Sequence, residues 1–208
     1  QPMGFYSPSQ LIQDACRHQI EVRAVDVQSS YWESTLESAP TLSAADQPAI
    51  RLGLQNIKGL SQAGAERLIQ SREAGSWTSL GALKQKAQLD QKDLDRLVDS
   101  GACLRLSGHR HQSHWQATGF AAPPPLFEPL GWASGDEVML NAPSEIEDIK
   151  ADYNSLKFTL GRHPMNIIRP QNKALKCTLE ATQLPSIRHG RFVEVAGLVT
   201  GRQRPSTA

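Results

Sequence analysis

The sequence predicts a mainly α-helical chain with a few short strands, on three observations. A glycine turn at residues 57–61 runs straight into an amphipathic helix, a second helix closes on Gly101 before another begins, and the alternating apolar runs that read as strands are short. The first feature organises the rest. Ile57-Lys58-Gly59-Leu60-Ser61-Gln62 opens a helix with Ser61 as a cap, with Ala65, Leu68 and Ile69 on one face and Glu66, Arg67 and Gln70 on others. A Gly-containing hairpin lets the backbone come close to a phosphate, its amides and the next helix N-terminus point at the anion, and Lys58 adds charge. The stretch reads as half of a helix-hairpin-helix that holds a nucleic-acid backbone without reading its sequence. The alternative is an ordinary turn between packed helices, since Ser61 stands where such hairpins usually carry a second Gly.

Taken in order, Ser7-Pro8 starts a helix with Leu11, Ile12, Ala15 and Cys16 on one face, and residues 20–27 follow as a strand. Tyr31 and Trp32 are expected in packing rather than base stacking. Residues 35–48, rich in Ser, Ala, Pro and Asp, read as a loop, and 49–54 as a strand through Ile50, Leu52 and Leu54. Ser79 caps a short helix to Ala87. Asp90 caps another, with Leu94, Leu97 and Val98 inward, which ends at Ser100-Gly101-Ala102.

That ending, Ser100-Gly101-Ala102-Cys103-Leu104-Arg105, is the second candidate hairpin, and residues 108–118 supply its following helix. Two hairpins separated by a connector helix would grip both strands of a duplex across the minor groove. No acid occurs from residue 100 to 127, whereas Arg105, Arg110, His109, His111 and His114 do, which is the charge a phosphate contact needs. His111 and His114 share a helix face, but no neighbouring ligand completes a tetrahedral metal set, so a mildly cationic helix start is the preferred reading. Asp93 and Asp95, two apart on a helix, diverge and are read as surface acids rather than a two-metal pair.

Residues 119–143 form a linker with Pro123-Pro124-Pro125 and a Gly-Ser stretch; Leu126, Phe127 and Trp132 in it either pin the linker to its own domain, the preferred reading, or meet a partner's groove. An acidic helix starts at Pro143-Ser144-Glu145. It leads through Leu160-Gly161-Arg162-His163-Pro164 into a basic segment with Lys157, Arg162, Arg169, Lys173 and Lys176. Phe192 to Thr200 alternates as a strand opening a small β domain.

The net charge of +1 announces no polyanion binder, but the charge is segregated. Residues 136–152 hold six acids against Lys150, whereas 153–193 hold seven Lys or Arg against Glu180, so local patches matter more than the sum. Cys16, Cys103 and Cys177 are odd in number and widely spaced, which fits a reducing cytoplasm and argues against a disulfide framework or a Cys-based zinc site. No apolar run approaches membrane-spanning length and no signal-peptide pattern opens the chain. Gln1 in place of an initiator, and a chain that stops just after a strand-like run, lead to the expectation of a piece of a longer protein.

Many short segments, in the same order, resemble one family. They include Met3-Gly4-Phe5-Tyr6-Ser7-Pro8, Val25-Asp26-Val27 with Trp32, Leu52-Gly53-Leu54 with Ile57-Lys58-Gly59-Leu60, and Ser100-Gly101-Ala102. Gly108-His109-Arg110 with Trp115-Gln116, Asp152-Tyr153, Leu160-Gly161-Arg162-His163-Pro164 and Val195-Ala196-Gly197-Leu198-Val199 complete the set. The chain resembles, over essentially its whole length, the error-prone, damage-inducible alpha-type subunit (ImuC type) of the bacterial C-family DNA polymerases. The resemblance implies that residues 1–40 end a helical fingers domain and that 49–118 are a tandem helix-hairpin-helix domain holding the primer-template duplex. It further implies that 119–143 are a linker, 144–186 a connector, and 187–208 the start of a truncated OB domain handling single-stranded template. Catalysis in such DNA-directed polymerases, which are nucleotidyltransferases, belongs to palm aspartates holding Mg2+; nothing here matches them, so no cofactor is expected in this chain. The Leu126-Phe127 end of a clamp-binding peptide is present without its Gln, so recruitment by a companion mutagenesis protein is the expected substitute for direct sliding-clamp binding.

Two functional expectations follow. In the first, the chain is the duplex-binding region of an error-prone polymerase acting in damage-induced mutagenesis and translesion synthesis. Amides of Lys58, Gly59, Leu60, Ser61 and Gln62, and of Gly101, Ala102 and Cys103, take phosphates; Arg67, Arg72, Arg105, His109 and Arg110 add charge, with Arg110 the strongest candidate; Arg202 and Arg204 serve the OB loop. In the second, the hairpins are packing elements, and Leu126, Phe127 and the acidic helix dock partner proteins.

Overall fold

The computed structural model describes residues 6–38, 47–119, 138–175 and 177–199. These divide after Leu160 into two compact units. Leu126, Phe127, Arg202 and Arg204 lie outside the described residues, as do Trp132 and the proline run.

Local capping chemistry sets most helix starts in the first unit. Helix α1 (Pro8–Arg17) begins with a reciprocal box in which the Gln10 amide donates to Ser7 Oγ and the Ser7 amide to Gln10 Oε1. Its apolar face is only partly covered: Ile12 packs on the core while Leu11 stays 40% exposed. Three short strands follow, β1 (Val22–Arg23), β2 (Thr35–Glu37) and β3 (Ala49–Arg51). In the sheet β3 is central, parallel to β1 through Val22↔Ile50 and antiparallel to β2 through Leu36↔Ile50. Two expectations change here. The strand expected over 20–27 is only two residues long, because from Ala24 the chain leaves the ladder for a turn in which the Ser29 and Ser30 amides donate to Asp26 O. Residues 35–37, expected in a loop, are a strand because β3 offers a ladder that composition cannot reveal.

Beyond β3 the chain is helical. A 3-10 turn (Leu54–Asn56) enters the first hairpin, then come α2 (Gln62–Glu73), α3 (Leu80–Lys86), α4 (Gln91–Asp99), α5 (Leu104–Ser107) and α6 (Arg110–Gly119). Ser61, Ser79 and Asp90 cap α2, α3 and α4 with side-chain oxygens, as their positions predicted. Leu54, Leu68, Leu80, Leu83, Leu94, Leu97 and Val98 are fully buried between these helices and form the centre of the core. Each buried leucine of this kind contributes roughly 1.5–3 kcal/mol.

The acidic helix α7 (Glu145–Ser155) packs on α4, so residues that the sequence reading assigned to a connector join the hairpin core. Ahead of it, residues 138–141 are tied to α6. The Gln112 side chain donates to Val138 O at 3.0 Å and accepts from the Leu140 amide at 3.2 Å.

The second unit contains α8 (Pro164–Gln171) and two 3-10 turns, Lys173–Leu175 and Ala181–Ser186. Arg169 is its internal tie, donating to Thr178 O at 2.8 Å and Ala196 O at 3.2 Å. The strand expected from Phe192 is reduced to one parallel bridge, Leu179↔Val195. A strand needs a ladder, and among the described residues only this pair supplies one. Phe192 and Val199 stand almost fully exposed.

Candidate nucleic-acid interface

The first hairpin is anchored by Ile57 and Leu60, 3% and 8% exposed, which hold the turn from below and leave Lys58 and Gly59 outward. Gly59 has φ +80°, a backbone state that a side chain would strain, and a Cβ there would lie 3.3 Å from Arg96 Nε. Arg96 therefore lies against the hairpin, although the sequence reading did not select it. Its side chain is 44% exposed, and Nη1 reaches Asp99 at 3.5 Å.

The amides of this turn divide into committed and open. Lys58 N–H donates to Ser155 O at 2.8 Å, and Leu60 N–H makes a 3.4 Å turn bond to Ile57 O. Ser61 is held by Asp93: its amide donates to Oδ1 at 3.0 Å and its hydroxyl to Oδ2 at 2.6 Å, while Ser61 Oγ accepts from Gly64 N–H at 2.9 Å. The N–H groups of Gly59, Gln62 and Ala63 have no partner among the described residues. They are the donors an anion would meet.

Asp93 corrects a sequence reading. Taken as a surface acid, it is 2% exposed, with its own amide capped by Asp90 at 2.7 Å. The face it occupies points to α2, a relation that helix periodicity alone does not give. Asp95 is exposed and accepts from the Gln91 side chain.

The second hairpin is built differently. At the end of α4, Ala102 N–H donates to Leu97 O and Gly101 N–H to Val98 O, with Gly101 at φ +77°; this is the paired closure of a Schellman cap. Two of the three amides expected to take phosphates, those of Gly101 and Ala102, thus serve the helix end. Ala102 and Cys103 are buried, and Ala102 O accepts from Val27 N–H at 3.0 Å. Burial pushes the Cys103 thiol up to about 12, so it remains a neutral core group.

The arginines expected at the DNA fall into two groups. Arg110 is 7% exposed, and its guanidinium joins Asp148 at 2.5 Å, Asp152, and the carbonyls of Ser100 and Asp148. It pins the acidic helix onto the second hairpin, and its charge is balanced by two carboxylates. Arg72 lies over the Tyr31 ring and donates to Val27 O and Ser30 O, bracing the segment before β2. Arg67 is half-buried on α2. Arg105 is different: its side chain is 63% exposed while Nη1 reaches Asp26 at 3.1 Å. His109 accepts the Gln112 amide at 3.2 Å as part of the α6 start, His111 Nδ1 donates to Asn141 O, and His114 lies 3.5 Å from Asp99. Among the described residues no three His, Cys, Asp or Glu side chains gather around a common point.

A Gly-turned, lysine-bearing hairpin on a helix start, joined through α3 and α4 to a second Gly turn, defines a helix-hairpin-helix region. Residues 19–113 match the family model described as helix-hairpin-helix motif. That match begins before β1, so the sheet belongs to the matched region and the hairpins do not stand alone. The particular relationship comes from curated relatives named error-prone DNA polymerase. The chain is 44% identical over 207 residues to that of Pseudomonas paraeruginosa strain PA7, 44% over 208 to that of Alkalilimnicola ehrlichii, and 45% over 208 to that of Teredinibacter turnerae. Each alignment covers 100% of this chain and 20% of the relative. The chain is homologous along its whole length to a region of bacterial error-prone DNA polymerases, and it spans about a fifth of the length of those relatives.

Proposed function

We propose that this chain is the part of an error-prone DNA-directed DNA polymerase that holds the primer-template duplex through its sugar-phosphate backbone, in damage-induced mutagenesis and translesion synthesis. The observation that carries this reading is the first hairpin. Exposed Lys58, the unpartnered amides of Gly59, Gln62 and Ala63, and the Arg96 guanidinium beside Gly59 converge on one outward turn. Phosphate contacts made by amides and cations carry no base information, which suits a protein that must travel along any sequence.

In this reading the two hairpins are unequal. The first meets the phosphates; the second, with the Gly101 and Ala102 amides in a helix cap and Arg110 balanced by Asp148 and Asp152, mainly fixes the geometry, with Arg105 its one exposed arginine. The finer architecture belongs to the same proposal: residues 1–40 end a fingers domain, 187 onward begins an OB domain that meets single-stranded template, and the Mg2+-dependent chemistry resides elsewhere in the parent polymerase. Free Cys16, Cys103 and Cys177 fit a cytoplasmic setting, and no helix among the described residues is long and apolar enough to cross a membrane.

A companion mutagenesis protein is the proposed partner, with Leu126 and Phe127 as its contact. The test is binding of the 208-residue chain to a primer-template duplex with Lys58→Glu beside the parent sequence. An affinity loss on the order of tenfold at low salt supports the reading. Unchanged affinity contradicts it.

A further inference from the structure

We infer that the two clefts flanking Lys58 form one continuous seat for the sugar-phosphate backbone of a DNA strand, with Arg96 at one end and Lys157 at the other; the assignment rests on the duplex-binding reading above. On one side a cleft of about 230 Å³ is lined by Lys58, Gly59, Arg96, Asp99 and Asn154. On the other a cleft of about 340 Å³ is lined by Lys58, Gln55, Asn56 and Lys157, with Ser7 and Ser9 from the start of α1. Lys58 lines both, so they adjoin at this residue.

The charge in this seat is one-sided. Lys58 and Lys157 are exposed and make no ion pair among the described residues. The acid in the lining of these clefts is Asp99, and Arg96 and His114 both approach it at 3.5 Å. The first turn of α1, which borders the second cleft, carries no acid. Lys157 is also firmly presented. It has φ +69°, rare for a side-chain-bearing residue, between Leu156 and Phe158, 8% and 3% exposed, so its backbone is fixed by the core on both sides.

A small anion would fill one cleft and leave the other cation idle. Arg96, Lys58 and Lys157 along two joined clefts, with the open Gly59 amide between, fit an extended polyanion whose charges repeat. Polar, uncharged Asn154 offers a donor that suits phosphate or sugar oxygens and imposes no base preference, whereas the Asn56 side-chain amide already donates to Gly53 O at 2.9 Å.

The test is the salt dependence of duplex affinity for the 208-residue chain and for Lys157→Ala, Lys157→Arg, Arg96→Gln and Lys58→Ala. Each lost phosphate contact is expected to lower the slope of log affinity against log salt by about 0.9. Lys157→Ala and Arg96→Gln should each show such a decrease, and Lys157→Arg should keep the parent slope. If Lys58→Ala lowers the slope while Lys157→Ala and Arg96→Gln leave slope and affinity unchanged, the extended seat is wrong and the hairpin contact stands. If the unaltered chain binds no duplex at low salt, both fall.

Discussion

Asp93 shows how one buried carboxylate can decide what a hairpin has left to offer. By taking the Ser61 amide and hydroxyl, it fixes the turn from within and leaves the amides of Gly59, Gln62 and Ala63 outward. Asp93→Ala would leave a buried donor unsatisfied and cut the tie between α2 and α4. A loss of about 2–4 kcal/mol in urea unfolding is expected, with Asp93→Asn losing less because it still offers an acceptor. Gly59→Ala forces a side chain into φ +80° beside Arg96 and should cost roughly 1–2 kcal/mol in the same assay, together with a weaker hold on duplex. Ser61 as cap was legible in the sequence, because capping depends on neighbours three residues away. The role of Asp93 was not, since its partner lies 32 residues off and appears only when α4 packs on α2.

At the scale of elements, the sheet and the acidic helix carry the charge chemistry that local reading misses. Glu37 on β2 is held at about 2 by Arg51, then Arg23, both of which donate to it. Its folded value lies below the unfolded one of 4.5, so its contribution is present above pH 4.5 and is lost as pH falls toward about 2. Acid unfolding of the parent chain should therefore begin within that window, and Arg51→Met should reduce the stability difference measured between pH 5 and pH 3. Helix α7 offers the sharper contrast. Arg110 looked like a DNA-facing cation because no acid lies near it in sequence, yet Asp148 and Asp152 arrive from 38 and 42 residues away. Arg110→Ala leaves Asp152, whose side chain is 18% exposed, without that partner and should destabilise by about 2–4 kcal/mol, while at temperatures where the variant is folded the salt slope of DNA binding stays unchanged. A lower slope would return Arg110 to the interface.

Across the whole molecule, the order of helices and turns was readable from caps, glycines and apolar spacing, whereas the strand at Thr35–Glu37 needed a partner brought from residue 49 onward. The glycine turn and cap of the first hairpin were readable, but Arg96 and Lys157, which line the clefts beside Lys58, come from other helix ends and are brought there only by the fold. The proposed function has braces such as Arg72 and Arg110 hold the shape of the first unit while one hairpin faces the nucleic acid. In that proposal this face neutralises backbone phosphates. The most direct measurement is a salt titration of the 208-residue chain against a primer-template duplex, with single-stranded DNA alongside. Affinity falling steeply with salt, by about 0.9 log unit per log unit for each phosphate neutralised, with duplex preferred, is the expected result. Duplex affinity that does not change with salt, or no duplex binding at low salt, would contradict it and leave the hairpins as packing elements.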